Sequence, residues 1–165
     1  FPNNGNVILT AEQAAKLYTE SEIVVIGTKT IGEGYAAISM METEGKTEDI
    51  IDGINESIKE VITACVSKAN RNTEKNGVEV KSGDYIGFVG DDIMSDSANI
   101  NEAAEKLLDQ IDVENHGLVL MFIGEEAKAE IAAELINNIA DKYPRTEVIT
   151  IEGGQPVFDY MFVLE

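Results

Sequence analysis

Ile23-Val24-Val25-Ile26-Gly27-Thr28-Lys29-Thr30-Ile31-Gly32-Glu33-Gly34-Tyr35-Ala36-Ala37-Ile38 reads as strand, loop and helix start in succession. Four apolar residues that end in a Gly fit a short buried strand breaking into a turn. The small apolar residues from Tyr35 to Met41 suit a helix packed closely on a sheet. The same unit precedes it. Phe1-Pro2-Asn3-Asn4-Gly5-Asn6 reads as a strand end and an amide-rich loop, and Leu9-Thr10-Ala11-Glu12-Gln13-Ala14 as a helix opening, with Thr10 and Gln13 in a capping box. Two successive strand–loop–helix units place two polar loops at the carboxyl edge of one sheet, where open α/β sheets bind ligands. The chain opens inside such a unit and so reads as part of a longer protein.

Further along, Glu42-Thr43-Glu44-Gly45-Lys46 is the first polar break. Thr47 is expected to cap a helix with Glu48 and Asp49 in its first turn, where the helix dipole favours anions. Ile50, Ile51, Ile54, Ile58 and Val61 recur at helical spacing. Ile62–Val66 reads as a strand, and Val78–Val80 and Tyr85–Val89 as an antiparallel patch between turns at Asn76-Gly77, Ser82-Gly83-Asp84 and Gly90-Asp91-Asp92. Asn101 is expected to cap a helix through Ala104, Leu107, Leu108 and Ile111. Leu118–Ile123 is a continuous apolar strand suited to burial on both faces. A helical stripe over Ala127, Ile131, Leu135 and Ile139 follows, then a strand at Val148–Ile151, a turn at Glu152-Gly153-Gly154-Gln155-Pro156, and a last strand from Phe158 to Leu164. The fold class is α/β: a parallel or mixed sheet flanked by helices, with a small antiparallel β patch. The polar break divides it into residues 1–44, the tail of a first α/β lobe whose earlier strands are missing, and residues 45–165, a second α/β lobe.

Charge narrows the partners. With 31 acidic against 12 basic residues the formal net charge is −19, so a phosphate backbone or an anionic membrane surface is repelled. Nucleic acid is a poor partner; a basic protein surface is a compatible one. The longest apolar run, Leu118–Ile123, is far short of the ~20 residues of a membrane span. Cys65 is the only cysteine, which excludes an internal disulfide and suits a reduced, cytoplasmic setting. It reads as a buried, inert thiol, and His116, the only histidine, as a turn residue.

No catalytic constellation emerges. Gly32-Glu33-Gly34-Tyr35-Ala36-Ala37 matches G-x-G-x-x-A, but Thr28–Ile31 separate it from the strand and a helix follows where an acidic second strand is needed. A helix N-terminus at this loop suits an anion, with Lys29 and Thr28 or Thr30 assisting; a polar turn without ligand is the plainer reading. G-x-x-x-x-G-K-[ST] and G-x-S-x-G do not occur. Asp91, Asp92 and Asp96 crowd one loop without calcium-loop spacing, and Glu125 and Glu126 are expected to open a helix rather than to act as an acid–base pair. No catalytic residue and no metal ligand is assigned.

The start Phe1–Ile8, the run Thr28-Lys29-Thr30-Ile31-Gly32-Glu33-Gly34 and the ending Gly153-Gly154-Gln155-Pro156-Val157-Phe158 carry a resemblance in their order and spacing. Over nearly its whole length the chain resembles the C-terminal region of the large chain of bacterial fatty acid kinase. Such proteins are often labelled dihydroxyacetone kinase-like or DAK phosphatase. The resemblance implies a DegV-like fold. It also implies that ATP and Mg²⁺ belong to a separate kinase-like domain, with no cofactor in these residues. Gly27 stands where the family tends to have Pro, Glu33 where it has Gln, and Asp159 where Pro often follows the aromatic residue.

From that resemblance the chain is expected to be a non-catalytic docking domain that engages the DegV-like small subunit carrying the fatty acid, in a protein that is itself a homodimer. Asn3, Asn4, Asn6, Thr28, Lys29 and Thr30 are the expected contact residues, with Gly153, Gly154 and Gln155 shaping a second loop. Neutral amides and hydroxyls there can both donate and accept hydrogen bonds. Two alternatives stand beside this reading. One is direct lipid binding, since DegV relatives hold a fatty acid in an apolar tunnel with its carboxylate on loop hydroxyls. The other is a small-molecule kinase or phosphatase, as the family label suggests.

Overall fold

The computed structural model describes all residues, 1–165. They form two compact units, Phe1–Val61 and Ile62–Glu165.

The first unit holds three helices, α1 (Gly5–Leu17), α2 (Ile31–Ser39) and α3 (Thr47–Glu60). Asn4 caps α1, its side chain accepting a hydrogen bond from the Asn6 N–H at 2.8 Å. The helix therefore opens five residues before Thr10, whose hydroxyl instead donates to the Asn6 carbonyl at 2.9 Å from inside the helix. The helix expected from Tyr35 likewise begins earlier, because Thr30 accepts from the Glu33 N–H at 3.1 Å and closes its first turn. Lys46, not Thr47, occupies the cap of α3 and makes no side-chain capping bond; Glu48 and Asp49 do lie in the first turn. Ile50, Ile51, Ile54 and Ile58 pack with Ile26 and Ala37 into a small core.

Ile23–Ile26 is not a strand. A β-run becomes a strand only when a neighbour completes its hydrogen bonds, and residues 1–61 contain no other strand to pair with it. The two polar loops consequently sit at the N-termini of α1 and α2 rather than at a sheet edge. The α3 helix, which a boundary at residue 44 assigns to the second lobe, belongs to the first unit.

The second unit is built on a six-stranded mixed sheet: β1 (Ile62–Lys68), β4 (Tyr85–Val89), β5 (Asp92–Ser97), β6 (Leu118–Ile123), β7 (Glu147–Glu152) and β8 (Tyr160–Leu164). Its order is β5-β4-β1-β8-β6-β7. The β6–β7 pair is parallel and all other pairs are antiparallel. A separate hairpin, β2 (Thr73–Lys75) and β3 (Val78–Val80), turns through Asn76 and Gly77, both at positive φ as a tight two-residue hairpin requires. Helices α4 (Ile100–Gln110) and α5 (Ala129–Lys142) pack on the sheet.

One core runs through this unit. Tyr160, Phe162 and Leu164 of β8 meet Ala64 and Val66 of β1, Val119 and Met121 of β6, and Leu107, Leu108, Leu135 and Ile139 of the helices. Fully burying each large aliphatic or Phe side chain contributes about 1.5–3 kcal/mol. Several expectations shift locally. Asp92 and Asp96 lie in a strand, β5, not in a loop, and only Asp91 is in the turn. Asn99 caps α4, while Asn101 is buried inside it, donating to the Ile131 carbonyl at 2.9 Å and accepting from the Tyr160 hydroxyl at 3.3 Å. Glu125 and Glu126 precede α5, which starts at Ala129, and Phe158 stays in the loop before β8. No helix is long and apolar enough to cross a membrane.

Candidate functional site

The residues singled out by sequence fall into two groups, one in each unit. In the first, Thr28 is fully buried and its hydroxyl donates to the Pro2 carbonyl, which ties the two loops together. Asn4 and Thr30 are engaged as helix caps. The Glu33 carboxylate accepts from the Lys29 N–H, so the α2 cap is closed from both sides. Asn3, Asn6 and the Lys29 side chain are exposed. The outcome is a polar rim around two helix N-termini, with half of its expected contact residues engaged in holding it in shape.

The same unit carries much exposed apolar surface. Phe1, Val7, Leu9, Leu17, Tyr18, Ile23, Val24, Ile31, Tyr35, Ile38, Met40 and Met41 are exposed, twelve of the fourteen exposed large hydrophobic residues in the chain. Helix α1 buries none of its residues.

In the second unit, Gly153, Gly154 and Gln155 join β7 to β8. The Gly153 and Gly154 N–H groups both donate to the Ile123 carbonyl at 3.0 Å, and the Gln155 amide donates to the Phe122 carbonyl at 3.3 Å. Gly154 has φ +61°, a conformation open to glycine. Gly124, which sequence reading passed over, makes the close approach possible: a Cβ there would stand 2.1 Å from the Phe158 carbonyl oxygen. Its N–H donates to the Asp159 carbonyl at 2.8 Å, and the Glu125 N–H to the Gln155 carbonyl at 3.1 Å. The loop is thus stitched to the end of β6.

This stitching walls a cavity of about 320 Å³ lined by Lys68, Tyr85, Glu126, Gln155, Pro156, Val157, Phe158 and Asp159. It opens where β1 and β6 end and where β4 and β8 begin. Lys68, Tyr85, Glu126, Phe158 and Asp159 were not read from sequence as site residues, because four separate segments supply the wall. Asp159 is 9% exposed, and burial foremost, then the charge of Glu126, pushes its carboxyl above the ordinary range while Lys68 opposes the shift. The Lys68 ammonium lies 5.9 Å from the centre of the Tyr85 ring. No nucleophile–base pair lines the cavity. Cys65 is buried and its thiol is pushed up to about 12, so it stays protonated at neutral pH. No group of three or more His, Cys, Asp or Glu residues is placed to hold a metal ion.

The FakA-like C-terminal domain family, named for fatty acid kinase, matches residues 1–165. The chain belongs to this family. Among the relatives of this FakA-like domain, an uncharacterized protein of Staphylococcus epidermidis is 34% identical over 165 residues, all of this chain and 30% of that protein. One of Staphylococcus aureus is 32% identical over the same 165 residues and again 30% of its length. The chain therefore spans about three tenths of these relatives. Among solved structures, a DegV family protein from Thermus thermophilus, described for its fatty acid binding, superposes with a TM-score of 0.63 at 12% identity, covering 97% of this chain and 66% of that one. DegV from Bacillus subtilis, described as a fatty acid binding protein, gives 0.63 at 13% identity over 96% and 66%. At such identity the likeness is one of fold, and it places the domain in the DegV-like α/β architecture.

Proposed function

We propose that this FakA-like C-terminal domain is a docking domain, engaging the fatty-acid-carrying small subunit while a separate domain holds ATP and Mg²⁺. The carrying observation is the concentration of exposed apolar side chains within residues 1–41. Exposed apolar side chains gathered in one unit support a protein contact there. Titration calorimetry of the chain against the small subunit, loaded and empty, tests it. Saturable binding is expected, weakened at least about tenfold by the double substitution Ile38→Glu and Met40→Glu. An undisturbed isotherm with that variant, or no heat with either form of the small subunit, removes the proposal.

A second reading, that the domain itself holds a fatty acid or another lipid, is favoured by the cavity of about 320 Å³ beside Gln155 and by the DegV architecture. Its size falls at the small end of ligand pockets. Mass spectrometry of an organic extract of the purified protein separates the two readings. Recovery of a stoichiometric acyl chain supports lipid binding, and a lipid-free extract from protein that docks the small subunit rejects it.

A further inference from the structure

The two edges of the six-stranded sheet are treated differently. At the β5 edge, side chains of α4 take up main-chain carbonyls: Gln110 donates to Met94 at 2.7 Å and Lys106 to Asp96 at 3.3 Å. The β2–β3 hairpin also reaches this edge, Asn76 donating to the Asp92 carboxylate at 2.9 Å and Lys75 to the Asp91 carbonyl. A register shift at Gly87/Phe88 bends the β4–β5 ladder. Such devices stop a strand from being added.

The β7 edge has none of them. Its only partner is β6, and the pairing is parallel and unbroken from Glu147 to Glu152. The Glu147 N–H donates inward to Gly117 and the Gly153 N–H inward to Ile123. Alternation then turns the main-chain groups of Val148, Thr150 and Glu152 outward, and no backbone or side-chain bond meets them. Glu147, Ile149, Thr150 and Glu152 are exposed, Ile149 at 42%. Three N–H groups and three carbonyls thus stand ready for a new strand, over an apolar centre.

Charge selects the occupant. A second copy added through the outward groups of Val148, Thr150 and Glu152 would bring another chain of net charge −19, with its own Glu147 and Glu152, against this edge, and like charge opposes that approach. A strand with basic residues five positions apart meets both carboxylates in either direction, and a chain of net charge −19 draws such a segment in. We propose that the outer edge of β7 is a docking strand for an extended segment of a protein partner that carries basic residues at this spacing. The edge lies in the second unit and stands independently of the docking surface in residues 1–41.

The probe is the capped hexapeptide Lys-Val-Thr-Val-Thr-Lys, with Glu-Val-Thr-Val-Thr-Glu as its counterpart, added to the full chain and followed by residue-resolved amide exchange. The basic peptide is expected to bind saturably and to slow exchange at Val148, Thr150 and Glu152, with little change at Ile149 and Ile151, already bonded to β6. Thr150→Pro removes an outward N–H without touching the β6 ladder and should weaken binding at least about tenfold. Glu147→Lys with Glu152→Lys should invert the preference towards the acidic peptide, which decides the matter if the proline variant does not fold. Absent binding, equal binding of both peptides, or protection spread away from β7 overturns the proposal.

Discussion

In residues 62–165, seventeen buried apolar side chains merge into one core. In residues 1–61 only Ile26, Ala37 and Ile54 do so, with Ile50, Ile51 and Ile58 packed against them. The first unit nonetheless carries most of the exposed large hydrophobics. Both contain well-capped helices, so local helix signals do not separate them. The difference is a sheet. Strands let side chains from distant segments share one interior, whereas α2 and α3 meet through Ala37 and Ile54 and leave their outer faces in water, and α1 buries no residue. Apolar surface that one unit spends on its own stability is available to a partner in the other.

The sharpest way to break that comparison is chemical. With its thiol held at about 12, Cys65 should react with iodoacetamide at pH 8 about 10³-fold more slowly than an ordinary exposed cysteine. Labelling kinetics followed by mass spectrometry check this, and labelling at the free-thiol rate would show that the face of β1 opposite the core is open. Next comes packing. Phe162→Ala removes a fully buried ring set against Tyr160 and should cost about 3–5 kcal/mol in a urea titration. Ile54→Ala, in a core that can collapse around the gap, should cost about 2 kcal/mol. Equal losses would erase the distinction between the units. The smallest effects refine it. Asn99→Ala should cost about 1 kcal/mol across the second unit, because α4 is bound into its core. Asn4→Ala should cost about 0.5 kcal/mol, read as faster amide exchange in α1 alone.

Reading the sequence recovered elements whose signal is local. The isoleucine stripe of α3, the apolar run of β6 and the Asn76-Gly77 hairpin turn all stand where periodicity and turn chemistry put them. The family and its α/β fold were legible in the order of three short segments. The two strand errors share one cause. Asp-Ile-Met-Ser-Asp-Ser has no apolar alternation, yet it is a strand because β4 pairs with it and Ser95 finds the Ala103 carbonyl at 2.7 Å. Ile-Val-Val-Ile has every strand propensity, yet no strand within its unit pairs with it.

The sequence by itself determined the helices, most sheet strands, the tight turns, the acidic surface and the family, because each is encoded in neighbouring residues or in composition. Tertiary structure alone decided the strand order, the cavity wall drawn from four segments, and the contrast between a closed β5 edge and an open β7 edge. The physical reason is the reach of the hydrogen bond. Caps and turns satisfy their donors within a few residues, while a strand depends on a partner whose distance along the chain no local pattern records.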